Sequence, residues 1–231
     1  MILREGAIHG SIITTNRRRV PKLTVVILAA GFSTRLGRPK ALARVRGTSL
    51  LRRTAELAAA LAPRALMVVV PPRARRFALE LRGLRAQVIV NRRRSQGLAS
   101  SVRAGTARAR WSAAVLFLPV DLANLQFAEL VHLVERWRAA PRRAVARRLG
   151  GARRGGIPLI LPKCLFQLAL GAAGDSGLRE VLGRLPAGCV ALLDLPSARD
   201  DVDTAADLAA VRASRLRARA IARGGTRPRS P

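Results

Sequence analysis

Four short aliphatic runs punctuate the first half of the chain: LTVVIL (23–28), ALMVVV (65–70), AQVIVN (86–91) and AAVLFL (113–118). Longer stretches with helical spacing separate or follow them, near 50–61, 73–82, 98–109 and 124–138. Strands that alternate with helices imply parallel βαβ units, and near-continuous apolar strands fit a sheet covered on both faces. Further strands are expected at AVARRL (144–149), IPLIL (157–161) and CVALLDL (189–195), with helices around 162–170, 177–184 and from about 204. Pro72 and Pro119 fall at strand ends, where a missing N–H does least harm. The pattern predicts an α/β fold with a Rossmann-like, doubly wound, mostly parallel sheet in three αβα layers. One domain is expected over residues 23–222, between a basic tail (1–22) and a second tail (223–231), both read as disordered.

Hydrophobic residues make up 49% of the 231 positions but aromatics only 3%, so the core must be built from Leu, Val, Ile and Ala. No apolar run approaches the roughly 18–20 residues that a bilayer span needs. The N-terminal stretch lacks a secretory h-region. The expectation is a cytoplasmic protein without a membrane partner. Charge is strongly one-sided, with 43 basic residues against 13 acidic ones and a net charge of +30. Only Lys22, Lys40 and Lys163 are lysines; the arginines are scattered along nearly every segment rather than gathered in a stripe. That distribution favours a solvated basic surface that attracts anionic ligands over a nucleic-acid footprint. Cys164 and Cys189 form no metal or disulfide spacing, and His9 and His132 are the only histidines. A Ser-His-Asp hydrolase and a His-rich metal centre are thereby disfavoured.

The most informative segment is LAAGFSTRLGRPK (28–40), the loop leaving the first strand. The carboxyl ends of strands are where open α/β sheets bind ligands. Gly31 and Gly37 allow positive φ and let backbone N–H groups approach an anion. Arg35 offers a planar fork for phosphate oxygens and Lys40 a compact charge. The spacing is neither a Walker A loop nor a dinucleotide fingerprint, and an ordinary glycine-containing βα turn is the plain alternative. Scarce lysine makes Lys40 the more telling residue.

This segment resembles the signature of the MobA-like nucleotidyltransferases, the superfamily that contains molybdopterin guanylyltransferase and cytidylyltransferase. Leu28, Ala29, Ala30, Gly31, Ser33, Arg35, Leu36, Gly37 and Lys40 meet its pattern, and Ala30 resembles the cytidylyl-transferring branch. NRRRSQGLASSVRAG (91–105) resembles the family element that contributes Gly97, Ser100 and Ser101 to nucleotide binding; simple helix capping is the competing reading of the serines. Asp121, at the end of LFLPVD, is implied as the Mg²⁺ carboxylate, with capping of the next helix as its rival. Leu122 and Ala123 replace the family's D-x-P turn there. RRGGIPLIL (153–161) matches the acceptor-side segment through Gly156 and Pro158, although Ile157 stands where the cytidylyl branch often has His. GAAGDSGLREVL (171–182) adds Asp175 and Arg179 on the acceptor side, with N-capping by Asp175 as the rival. DVDTAADLAAV (201–211) resembles the end of the catalytic domain, with Asp203 as second metal carboxylate and Thr204 a cap for the last helix.

The resemblance implies a nucleotide-diphospho-sugar transferase, GT-A-like fold. It further implies Mg²⁺-dependent transfer of a nucleoside monophosphate, CMP from CTP, to phosphorylated molybdopterin, with release of pyrophosphate. Lys40, Arg35 and Asp121 would be catalytic, and a molybdenum hydroxylase apoenzyme would receive the product. Alternatives are another NTP or another phosphorylated small-molecule acceptor and, from a different class, a basic nucleic-acid-binding protein on a degenerate transferase fold.

Overall fold

The computed structural model describes residues 20–33, 37–150, 155–174, 177–198, 204 and 206–211. β1 (Val20–Leu28) leads to the short strands β2 (Arg44–Val45) and β3 (Thr48–Ser49), then α1 (Leu50–Ala60), β4 (Pro63–Val70) and α2 (Arg75–Glu80). β5 (Ala86–Val90), α3 (Leu98–Arg108), β6 (Ala114–Pro119) and α4 (Phe127–Ala139) continue the alternation. The second half holds β7 (Ala144–Arg148), β8 (Gly155–Pro162), α5 (Phe166–Leu170), α6 (Gly177–Arg184) and β9 (Val190–Leu193). Residues 206–211 are helical. Every strand and helix expected from the sequence is present, within a few residues.

The main sheet has seven strands in the order β5-β4-β1-β6-β8-β7-β9. Of its pairings, only those of β8 with β6 and β7 are antiparallel. The chain winds outward from β1 through β4 to β5, then returns to place β6 on the other flank of β1. That reversal puts a topological switch point between β1 and β6, beneath the loops at their carboxyl ends.

Alternation along β1 explains the layering. Leu23, Val25 and Ile27 enter one core with Leu51, Leu116 and Leu130 from α1, β6 and α4. Val26, Leu28 and Ala30 enter the opposite core with Val102, Phe117 and Leu178 from α3, β6 and α6. Both faces are thus covered, which is why the strands read as unbroken apolar runs. Gly105 sits where α3 lies closest to the sheet: a Cβ there would fall 2.6 Å from Cγ1 of Val26. Pro158 fits inside β8 because Arg147 pairs with Gly156 and Ala146 with Leu159, so Ile157 and Pro158 bulge from the β7 ladder.

The hairpin β2–β3 was not anticipated. Arg46 and Gly47 both take positive φ, 55° and 77°, the geometry of a tight two-residue hairpin turn. The tails expected at 1–22 and 223–231 lie outside the described residues, except that Val20, Pro21 and Lys22 belong to β1. Among the described residues no helix is long and apolar enough to cross a membrane.

Candidate active site

The loop after β1 starts inside the core and ends outside it. Ala29 and Ala30 are buried, and the Ala29 N–H still donates to the Val69 carbonyl at 2.8 Å, so the strand's hold extends past its last residue. Gly31, Phe32 and Ser33 then emerge at the surface of a cleft. Gly37 has the expected positive φ of 66°, but Gly31 does not; Ser33 takes the left-handed conformation instead, at φ 54°. The Ser33 hydroxyl accepts from the Lys40 N–H at 2.9 Å and so ties the loop's two ends together. A single 3-10 turn over Lys40–Leu42 follows, anchored by buried Ala41.

That anchoring aims the Lys40 side chain across the switch point. Its Nζ donates to Oδ2 of Asp121 at 3.1 Å, with both side chains mostly shielded from water. Asp121 does not cap the next helix: α4 begins six residues later, where the Gln126 N–H donates to Glu129 Oε2 at 3.0 Å. The rival reading of Asp121 as a cap is thereby removed.

The cleft has a volume of about 630 Å³. Leu28, Ala29, Ala30, Gly31, Ser33 and Lys40 line it from the first loop. Gly97 and Ser101 contribute from the start of α3, Asp121 from the end of β6, and Gly156 and Arg179 from the far side. Ser100 and Pro158 are buried and not part of the wall. Arg35, Asp175 and Asp203 lie outside the described residues.

Ser100 and Ser101 are not caps either; both fall inside the first turns of α3, which Gly97 precedes at φ 78°. Buried Asn91 holds them. Its Nδ2 donates to Ser100 Oγ at 2.8 Å and to Ser101 Oγ at 3.0 Å, while its Oδ1 accepts from the Arg93 N–H at 2.9 Å. Ser100 in turn donates to the Gly97 carbonyl at 2.8 Å. One amide therefore fixes the serine wall, a role that sequence reasoning did not assign to it.

Arg94 and Phe32 were also missed. The Arg94 guanidinium stacks 3.8 Å from the centroid of the Phe32 ring, which is 59% exposed. Its Nη2 reaches the Gly31 carbonyl at 3.4 Å, and its buried Nε has no partner among the described residues. Burial pushes the Arg94 pKa below the usual arginine value. An exposed phenylalanine in a phosphate-type loop, in a chain so poor in aromatics, was the available signal. The far side combines Arg147 and Arg179 with apolar Leu149, Ile157 and Leu178.

Among the described residues no three His, Cys, Asp or Glu side chains cluster as a metal site. A single carboxylate such as Asp121 can suit Mg²⁺, which takes one or two carboxylates together with waters and substrate phosphates. The C-terminal segment docks nearby: Ala123, two residues after Asp121, packs in one cluster with Leu208 and Val211. Thr204 and Asp207 cap that last helix reciprocally, at 2.7 and 3.2 Å, as the sequence predicted for Thr204.

Comparison with known proteins agrees with this architecture. The chain is 31% identical over 192 residues to nicotine blue oxidoreductase of Paenarthrobacter nicotinovorans, covering 80% of this chain and 94% of that protein. The Rv0371c protein of Mycobacterium tuberculosis H37Rv superposes with a TM-score of 0.67 at 26% identity, over 83% of this chain and 98% of its own. A nucleotidyl transferase from Methanothermobacter thermautotrophicus, Mth528, gives a TM-score of 0.70 at 19% identity, over 85% and 99%, and speaks to the fold alone. The model of the MobA-like NTP transferase domain matches residues 25–189, from within β1 to the residue before β9, and the chain belongs to that family.

Proposed function

We propose that the protein transfers a nucleoside monophosphate, CMP from CTP, to the phosphate of molybdopterin and releases pyrophosphate. The observation that carries this reading is the Lys40–Asp121 pair, 3.1 Å apart at the switch point beside the glycine loop. It sets a cation and a hard carboxylate where a metal-bound triphosphate would need both. An oxygen of the acceptor phosphate attacks the α-phosphorus as the bond to the β-phosphate oxygen breaks, and pyrophosphate leaves with that electron pair. No enzyme nucleophile is required, and catalysis reduces to positioning and charge neutralisation.

The exposed end of the β1 loop, with Arg35 and Lys40, holds the triphosphate. Ser101, fixed by Asn91, faces the nucleoside. Arg147 and Arg179 meet the acceptor's anionic group, while Leu149, Ile157 and Leu178 offer its ring system an apolar wall. Asp121, with Asp203 as a second carboxylate, would hold Mg²⁺, whose charge would offset that of the phosphate oxygens. A second structure of the M. tuberculosis Rv0371c protein holds manganese, which supports the fold's compatibility with a divalent ion. A molybdenum hydroxylase apoenzyme is the recipient this reading names for the product.

The test is pyrophosphate release over four NTPs, with and without molybdopterin and Mg²⁺. Release that needs CTP, acceptor and metal together is expected; no release with any NTP would reject the reading.

A second reading has its own support. The 31% identical relative is named an oxidoreductase, and the acceptor wall is apolar where Ile157 stands. On that reading the same cleft would hold a substrate of an oxidation or reduction against that apolar wall. Oxidation or reduction of an aromatic redox dye without pyrophosphate release distinguishes it.

A further inference from the structure

The end of the sheet opposite the cleft has a composition of its own. Segments 20–23, 61–65, 108–114, 140–144, 162–166 and 185–190, which open the parallel strands or close β8, contain no Asp or Glu. Among the described carboxylates, Asp121, Glu129, Asp194 and Asp207 belong instead to the carboxyl-end loops and the elements packed there. Glu80 bonds Ser49 at the start of α1 and Glu56 pairs with Arg52 on α1. Glu135 lies along α4.

Strand register turns those segments into a row. Leu23 pairs with Ala114 and Ala114 with Pro162, so Lys22, Ala113 and Lys163 stand level on three adjacent strands. The Ala113 N–H donates to the Lys22 carbonyl and the Lys163 N–H to the Ala113 carbonyl, both at 2.8 Å. Arg64 flanks Lys22, between the pairs Val20–Pro63 and Thr24–Ala65. Arg142 flanks Lys163, held by a thiol hydrogen bond from Cys164 to its carbonyl at 3.5 Å. Arg64, Lys22, Lys163 and Arg142 are all exposed, and two of them are among the chain's only three lysines.

Trp111, two residues before Ala113, is 71% exposed, with the Arg110 guanidinium 5.1 Å from its ring. The turn that presents it is tied to the sheet. Ser112 is buried, its hydroxyl bonds Thr24 at 2.5 Å and its N–H donates to the Ala109 carbonyl at 2.8 Å. An exposed indole beside a guanidinium, on an end of the sheet whose described strand-end segments carry cations and no carboxylate, is a surface suited to meet negative charge at an apolar boundary.

We infer that this face docks on an anionic lipid bilayer, with Trp111 at headgroup level and the row of cations against the phosphates. Indole rings favour the headgroup layer of membranes, and juxtamembrane cations are drawn to anionic leaflets. The row is level across adjacent strand ends, and both described pockets open at the other end of the sheet. A planar surface fits that shape better than a nucleic-acid strand, which needs a groove and successive stacking platforms. The expectation of no membrane partner rested on the lack of a spanning run, which docking at the surface does not require, and the cleft would face away from the lipid and stay open to its substrates.

The full chain is sedimented with phosphatidylcholine vesicles, with and without phosphatidylglycerol, while tryptophan emission is followed. Binding only to the phosphatidylglycerol vesicles is expected, with a blue shift from Trp111; Trp137 is already buried. Trp111→Ala should abolish the shift and weaken binding. Lys22→Glu with Lys163→Glu should weaken it steeply, at roughly fivefold per charge removed. Arg75→Glu with Arg76→Glu, the same charge change on α2 beyond the carboxyl end of β4, should change it far less. Equal losses from both double variants, absence of vesicle binding, or single-stranded RNA binding through Trp111 that vesicles do not displace would each overturn the inference. None of these readouts depends on transferase activity, so the inference can fail while the proposed function stands.

Discussion

Replacing Asn91 with alanine removes one buried amide that holds three groups at once. Its Nδ2 bonds to Ser100 and Ser101, at 2.8 and 3.0 Å, and the bond from the Arg93 N–H, at 2.9 Å, are all lost. Ser100 keeps its bond to the Gly97 carbonyl, but Ser101, itself 5% exposed, loses its donor. At about 1 kcal/mol net per hydrogen bond, the substitution should cost about 3 kcal/mol of folding stability. For a domain of this size that corresponds to a fall in Tm of about 6–12 °C. Ser101 should also drift from its place on the cleft wall, so the Kd for CTP should rise even at temperatures where the variant is folded. Thermal melting with and without CTP measures both effects together. A Tm within 2 °C of the parent (about 1 kcal/mol or less), or an unchanged CTP-induced shift, would refute the claim that this amide organises the nucleotide wall.

Lys40→Ala and Asp121→Ala should each lower kcat for pyrophosphate release by about 100- to 1,000-fold, the usual loss on removing one preorganised charge-stabilising group. Circular dichroism should show both variants folded, because the pair closes a surface cleft rather than a core. Gly105→Ala should cost about 1–3 kcal/mol in a urea melt, since its Cβ would sit 2.6 Å from the stiff Val26 side chain. Arg94→Ala should weaken binding of inorganic tripolyphosphate severalfold in a calorimetric titration; equal binding would mean that its Nε, which has no partner among the described residues, does not serve the anion.

Much of the fold was legible because β1, β4 and β6 lie between two apolar layers and carry the strongest signal a sequence can offer. The hairpin β2–β3 was not. Its strands are two residues each, and its turn is Arg46-Gly47, whereas the Asn-Gly or Asp-Gly that would announce such a turn is absent. The antiparallel setting of β8 was equally hidden, because an inward-facing run such as LIL reads the same in either direction. In the site, Lys40 stood out because lysine is scarce in this chain, and Asp121 was named through the family resemblance and its place at the end of an apolar strand. Their closeness across 81 positions could not be derived from residue spacing. Arg94 escaped notice because one arginine among so many carries no weight until its burial is seen, and Asn91 because its partners lie in the helix it supports.

The account rests on a metal-bound triphosphate lying between the β1 loop and Asp121. Calorimetric titration of CTP into the protein, with and without Mg²⁺, tests that claim most directly when repeated on Lys40→Ala and Asp121→Asn. Tight binding that needs Mg²⁺ in the parent, loses its Mg²⁺ dependence in Asp121→Asn and weakens at least tenfold in Lys40→Ala is the predicted result. Binding of equal strength with and without the metal, or unaltered in both variants, would contradict it.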